Sequence, residues 1–261
     1  MNSKKHHTLC PDHGLLRANA SSKVLVVGIM LLVSIITLAH FTTATPAGPT
    51  ITYVSNSTYT APVANRSQDA KGTITVVTMS ANQQDYKWKA YVGNVSGGLA
   101  LDDANSKSIY AWQLATITGE VYATRASGTV NWVNVSCVSQ AVIDSEQSAL
   151  GILSTASDSI NTTFNATIHK SFLVGTKNIT NSTCRSTATY INSAAQSLTE
   201  NAFFQEVLLK DDITSSLIYS TLINNDHTSY DGTSTYDFQM IIAENESSST
   251  PTPYYFYVEL G

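Results

Sequence analysis

TITVVTMSANQQDYKWKAYVGNVSGGLALDDANSKSIYAWQLATITGEVYATR, residues 73–125, decides the fold class. Within it ITVVTM, YKWKAYV, GLALDD, SIYAWQLATI and GEVYATR are short runs of β-branched and aromatic residues. Such side chains suit a pleated, half-buried surface. Gly, Asn, Asp and Ser separate the runs, and Gly97-Gly98 and Asp102 to Ser106 read as turns. The spacing predicts an antiparallel meander.

Moving toward the C-terminus, the period changes near Ser139. Val138, Val142, Ala149, Leu150, Leu153 and Ile160 fall near one face at helical spacing, which predicts one amphipathic helix. SFLVGT (171–176) is a short strand candidate, and residues 188–205 are expected to add a second short helix. FQEVLL (204–209) and SSLIYSTLI (215–223) flank a turn at Lys210-Asp211-Asp212, and Asp231-Gly232 marks a tight turn before STYDFQMIIA (234–243). In the closing PYYFYVELG, Tyr254, Phe256, Val258 and Leu260 alternate with Tyr255, Tyr257 and Glu259, as a strand requires. That strand is read as the end of the domain, with no GPI-type tail or second span. The expected class is mainly β (α+β), antiparallel sheets or a sandwich with one or two short helices, over residues 71–261.

Toward the N-terminus, residues 42–70 are rich in Thr, Ser, Pro and Ala and read as an extended stalk, in which Ile51, Tyr53 and Val54 form a strand candidate. Residues 24–41 begin VLVVGIMLLVSIITLA and hold no Lys, Arg, Asp or Glu. At about 1.5 Å per residue they span roughly 27 Å, close to the hydrocarbon thickness of a bilayer. Lys4, Lys5, Arg17 and Lys23 precede them against Asp12 alone, so residues 1–23 are expected inside and the remainder outside. The long basic tail favours an uncleaved transmembrane anchor in contact with membrane lipid. Thr42-Thr43-Ala44 offers the small residues of a signal cleavage site, and a secreted product is the alternative.

Nine Asn-x-Ser/Thr sequons follow residue 42, at Asn56, Asn65, Asn94, Asn134, Asn161, Asn165, Asn178, Asn181 and Asn245. Each is a glycan acceptor if the chain crosses a membrane that carries the transferase. Cys10 falls in the tail, whereas Cys137 and Cys184 are the remaining pair on the oxidising side, and a disulfide between them is expected.

With 261 residues, 43% hydrophobic and 13% charged, the chain can close a core and is not a disordered protein. A net charge of −5 without any basic cluster excludes a nucleic-acid binder. Three cysteines are too few for a disulfide scaffold or a Cys-based zinc domain.

No motif nominates a catalytic residue: Gly-x-Ser-x-Gly, Ser-x-x-Lys, His-Glu-x-x-His and a phosphate loop do not occur. His169 and His227 are the histidines beyond the membrane-proximal His40. Asp102/Asp103, Asp211/Asp212 and Asp226/Asp231 are carboxylate pairs in turn contexts, where backbone hydrogen bonding accounts for Asp. As weak calcium candidates, Asp102, Asp103 and Asn105, or Asn224, Asp226 and Asp231, offer hard oxygen ligands without the EF-hand spacing. No other cofactor is indicated. His6, His7, Cys10 and His13 in the tail are of ligand type for a transition metal, but an unstructured tail is the better reading. Trp88, Trp112 and Trp132 lie in strand-like runs and are read as core rather than as a sugar-stacking platform.

One group of segments is more specific. WKAYVGNVSGGLALDDANSKSIYAWQLATITGEVYATR (88–125), FQEVLL, YDFQMIIAEN (236–245) and YYFYVELG resemble a group of archaeal exported or cell-surface proteins of no known activity. The resemblance covers most of residues 85–261. It implies an archaeal envelope in which N-glycosylation is common, and it brings no catalytic residues. The expected function is a membrane-anchored or secreted envelope glycoprotein with a structural or interaction role, its partners other envelope proteins or glycans. A surface carbohydrate-binding module or glycan-acting hydrolase is the alternative.

Overall fold

The computed structural model describes residues 45–64, 68–82, 85–102, 105, 107–114, 116–245 and 251–261. The tail 1–23, the apolar segment 24–41 with its anchor-or-signal alternative, and Asn65 and Asp103 lie outside the described residues.

The centre of the fold is a six-stranded antiparallel sheet. Its path runs β14 (Tyr255–Leu260), β4 (Gly119–Thr124), β10 (Leu217–Leu222) and β9 (Gln205–Asp211), whose far edge is shared by β5 (Val135–Cys137) and β8 (Ser186–Ala188). Period-2 alternation gives the sheet two apolar faces. Val121 and Ala123 of β4, Leu208 of β9 and Tyr219 of β10 face one core, while Tyr122, Val207, Leu209 and Ile218 face the other. Both faces are covered, so the sheet forms the middle layer.

The first face is covered by helix α1 (Gln140–Leu150), the single turn α2 (Ile160–Thr163), and a two-stranded antiparallel sheet of β1 (Trp88–Gly93) and β13 (Phe238–Ala243). Helix α1 buries Val142, Ile143, Gln147 and Leu150. It ends at Gly151, left-handed at φ 71°, and Ile152 N–H then donates to Gln147 O at 2.8 Å. That reversal buries Ile152 and throws Leu153 out, 73% exposed, so the helical face is shorter than its sequence period implies. The second face is covered by Val130, Trp132 and the hairpin β6 (Phe172–Val174)–β7 (Lys177–Ile179). Two small hairpins complete the fold, β2 (Gly98–Asp102) with β3 (Ser108–Gln113), and β11 (His227–Thr228) with β12 (Thr235–Tyr236).

Mainly β structure with antiparallel sheets and two short helices agrees with the expected class. Several expectations are corrected. The meander reading fails outside the β2–β3 hairpin, because β4 pairs with β10 and β14 and β1 pairs with β13, all distant in sequence. No strand forms at 51–54 or at 73–79, where Ile74 and Val76 are 95% and 93% exposed. No helix forms over 188–205. There Gln196 Nε2 donates to Thr189 O and Phe203 O while its Oε1 accepts from Phe203 N, and Asn192, Ser193 and Phe204 take positive φ. The second short helix is instead α2, where Ser159 Oγ accepts from Thr162 N at 3.2 Å. Strand β9 runs through Lys210 and Asp211, which moves the start of the expected turn two residues on, to Asp212–Ser216. STYDFQMIIA is broken at Asp237, whose carboxylate accepts from Val95 N and Asp226 N.

Candidate functional site

The most organised side-chain chemistry surrounds the shared edge of β9. Leu208 is its pivot: Val138 N–H donates to Leu208 O at 3.1 Å, and Leu208 N–H donates to Arg185 O at 2.8 Å. Residues Leu209 to Asp211 therefore pair with β5, and Gln205 to Val207 pair with β8. The Cys137–Cys184 disulfide joins the two half-length partners where they meet, as the sequence led one to expect. His169, fully buried, organises the same corner. Its Nε2 accepts from Thr183 N (3.1 Å) and Cys184 N (3.0 Å), which leaves Nδ1–H to donate to Lys170 O at 2.8 Å. Burial holds its pKa below the ordinary imidazole value, so the ring is a neutral structural element. His227 is stacked on Phe203 with centroids 3.6 Å apart.

A second cluster was not legible in the sequence. Glu120 of β4 and Glu259 of β14 are direct register partners. Both lie on the face that carries Tyr122 and Tyr257, and they are 8% and 6% exposed. Glu259 is held by Gly175 N–H at 2.8 Å to Oε1 and by Tyr122 O–H at 3.0 Å to Oε2. Burial, reinforced by the facing Glu259, pushes Glu120 up to about 8, and burial also raises Glu259 and the Tyr122 hydroxyl. Glu120 is therefore mostly protonated at neutral pH. On the opposite face the fully buried Glu206 is raised well above the carboxylate range by burial, and its Oε2 accepts from Ile241 N at 2.9 Å. The signal that identifies Glu120 and Glu259 is their phase: each lies two residues from a tyrosine on the buried side of its strand. The pair is interior, so a sugar chain has no access to it.

The other candidate residues are placed as follows. Asp231 is a turn residue: its carboxylate accepts from Ser234 N, Thr233 N, Ser234 Oγ and Ser229 Oγ, and the backbone donors at Ser234 and Thr233 hold it far below the usual range. Asp226 has φ 50° and accepts from Asn225 Nδ2. Asp211 accepts from Asn131 N, Ile213 N and Thr214 Oγ1, and Asp212 meets Ser136 and Lys210. Asp102 ends β2. No group of three or more His, Cys, Asp or Glu arranged to hold a metal ion occurs among the described residues. Trp132 is core, 9% exposed, with its ring 5.0 Å from Tyr122 and 5.1 Å from Tyr257. Trp88 packs against Phe164 and donates to Asp158 O at 2.7 Å. Among the described sequons, Asn56, Asn94, Asn134, Asn165, Asn178 and Asn181 are exposed, and Asn161 and Asn245 are half-buried.

Fold and site together define a β-rich domain clasped by one disulfide. The chain matches no protein-family model, no curated protein and no solved structure. No helix among the described residues is long and apolar enough to cross a membrane.

Proposed function

We propose that the chain is a cell-surface glycoprotein of an envelope, anchored through residues 24–41 or released after cleavage, with a structural or interaction role. The observation that carries the reading is the exposure of six sequon asparagines, at Asn56, Asn94, Asn134, Asn165, Asn178 and Asn181. A buried asparagine has no room for a glycan, whereas these six do. The disulfide supports the same compartment, since such bonds persist where the environment is oxidising. The perturbed carboxylates Glu120, Glu259 and Glu206 are closed in the core, so they are assigned to stability rather than to a reaction.

The test is intact-protein and glycopeptide mass spectrometry on material purified from the native host, with protease treatment of intact cells. The reading expects glycan mass on several of the six sites and digestion of the β-rich domain from outside. Unmodified asparagines at all six sites together with a protected domain refute it.

A further inference from the structure

The small sheet β1–β13 has two edges, and they are treated differently. The bond from Glu244 N to Lys87 O sets the ladder phase, so Lys89 and Tyr91 bond toward β13 while Trp88, Ala90 and Val92 direct their backbone groups outward. On β13 the corresponding outward residues are Gln239, Ile241 and Ala243. Side chains close that edge: Thr221 Oγ1 donates to Gln239 O (2.8 Å), Ile241 N donates to Glu206 Oε2 (2.9 Å), and Tyr254 O–H donates to Ala243 O (2.6 Å). On β1 no described residue bonds the outward N–H or C=O of Trp88, Ala90 or Val92. The edge is open, and a two-stranded sheet is itself marginal without a third strand.

The chain also carries a strand without a sheet. Thr73–Met79, TITVVTM, is β-branched at every position but Met79, with no charge, Gly or Pro. That is the composition of a segment that completes a sheet. It forms no strand in the structure, and Ile74, Val76, Val77 and Met79 are 95%, 93%, 53% and 86% exposed. Folding back on its own β1 would need only residues 80–87 as a loop, a closure that costs little entropy. The structure leaves that local pairing unmade. The free edge of the central sheet at β14 is unsuitable. At β14, Ala47 and Val258 exchange bonds of 3.0 and 2.9 Å, and Pro49, which has no N–H, stops that ladder opposite Phe256.

We infer that Thr73–Met79 of one copy adds as a strand to the open edge of β1, at Trp88, Ala90 and Val92, in a second copy of the same chain. Main-chain bonds supply the attraction, and burial of Ile74 and Val76 supplies the apolar gain. The inference rests on backbone geometry and does not depend on the compartment.

The test uses the full-length chain in detergent with Cys10→Ser as background. One batch carries Val76→Cys and a second Ala90→Cys, and the two are mixed and treated with a short bismaleimide, which tolerates a slip in register. The expected result is a covalent hetero-pair at least ten-fold above that formed by Leu153→Cys mixed with Ala90→Cys. Ala90→Pro, which removes an outward N–H and leaves the bonds to β13 in place, should abolish assembly while circular dichroism stays unchanged. Cross-linking within single chains of the Val76→Cys/Ala90→Cys double variant, without hetero-pairs in the mixture, assigns the strand to its own β1 and overturns the inference. Absence of any specific cross-link overturns it as well.

Discussion

Two runs of similar β propensity, TITVVTM at 73–79 and GEVYAT at 119–124, end in opposite surroundings. The second is β4, flanked by β14 and β10, with Val121, Tyr122, Ala123 and Thr124 all at 2% exposure or less. The first has no neighbour, and its side chains stand in solvent. Local preference favours extension in both runs, but only partners make a strand. The comparison separates what the backbone favours from what burial stabilises.

The largest expected effect lies at the centre of β4. Val121→Asp places an unpaired carboxylate in a core where the native side chain is 2% exposed, at a cost of several kcal/mol, on the order of the whole stability of a domain. Urea denaturation should show the cooperative transition lost or moved by more than about 4 kcal/mol. A shift below about 1 kcal/mol would mean that β4 is not an interior strand of the sheet.

The clasp comes next. Opening the Cys137–Cys184 loop, 47 residues in separation, should cost about 4 kcal/mol on the chain-entropy model, less where the unfolded chain keeps structure. In Cys137→Ser/Cys184→Ser, hydrogen exchange should speed up along β5, β8 and the β6–β7 hairpin, while β4, β10 and β14 keep their protection. Uniform acceleration across all six strands would show that the clasp holds the whole sheet.

Glu120 gives an effect no larger than that of the clasp, with a defined pH dependence. Its folded pKa, about 8, lies above the unfolded value near 4.5, so the folded state holds the extra proton between these limits. Its contribution is therefore complete below about pH 4.5 and is lost as pH rises through about 8. Glu120→Gln should leave stability at pH 4.5 nearly unchanged and raise it at pH 8 by at most about 4 kcal/mol, flattening the melting temperature against pH. A variant that melts in parallel with the wild type at every pH would remove Glu120 as the source. The smallest effect closes the comparison: Val76→Asp, at a residue 93% exposed, should change the unfolding free energy of the dilute monomer by no more than about 0.5 kcal/mol.

Much of the fold was legible in sequence and the rest was hidden for identifiable reasons. The β-rich runs FQEVLL and SSLIYSTLI and the alternation in YYFYVELG located strands correctly, although β9 and β10 are buried on both faces and so carry little polar alternation. The helix after Ser139 was legible from its period, although Gly151 ended it before Leu153. Strand partners were illegible, since β4 joins residues more than a hundred positions away and no local signal encodes that choice. The pairing of Cys137 with Cys184 was readable from compartment logic, but the divided edge of β9 beneath it was not. Glu120 and Glu259 escaped notice because a glutamate in a strand reads as a solvent-facing residue, and only the opposing register puts two of them together. The 188–205 region was expected to hold a short helix, whereas Gln196 and Gln205 fold it through bonds to backbone carbonyls.

The position of β14 bears on when the chain can fold. Gly119 pairs with Leu260 and Thr124 with Tyr255, so one flank of β4 waits for residues more than a hundred positions further along the chain. Non-local pairing of this kind slows folding toward the millisecond-to-second range, because the connecting loop must close before any bond rewards it. The order of the strands therefore keeps the sheet incomplete until both flanks of β4 are present.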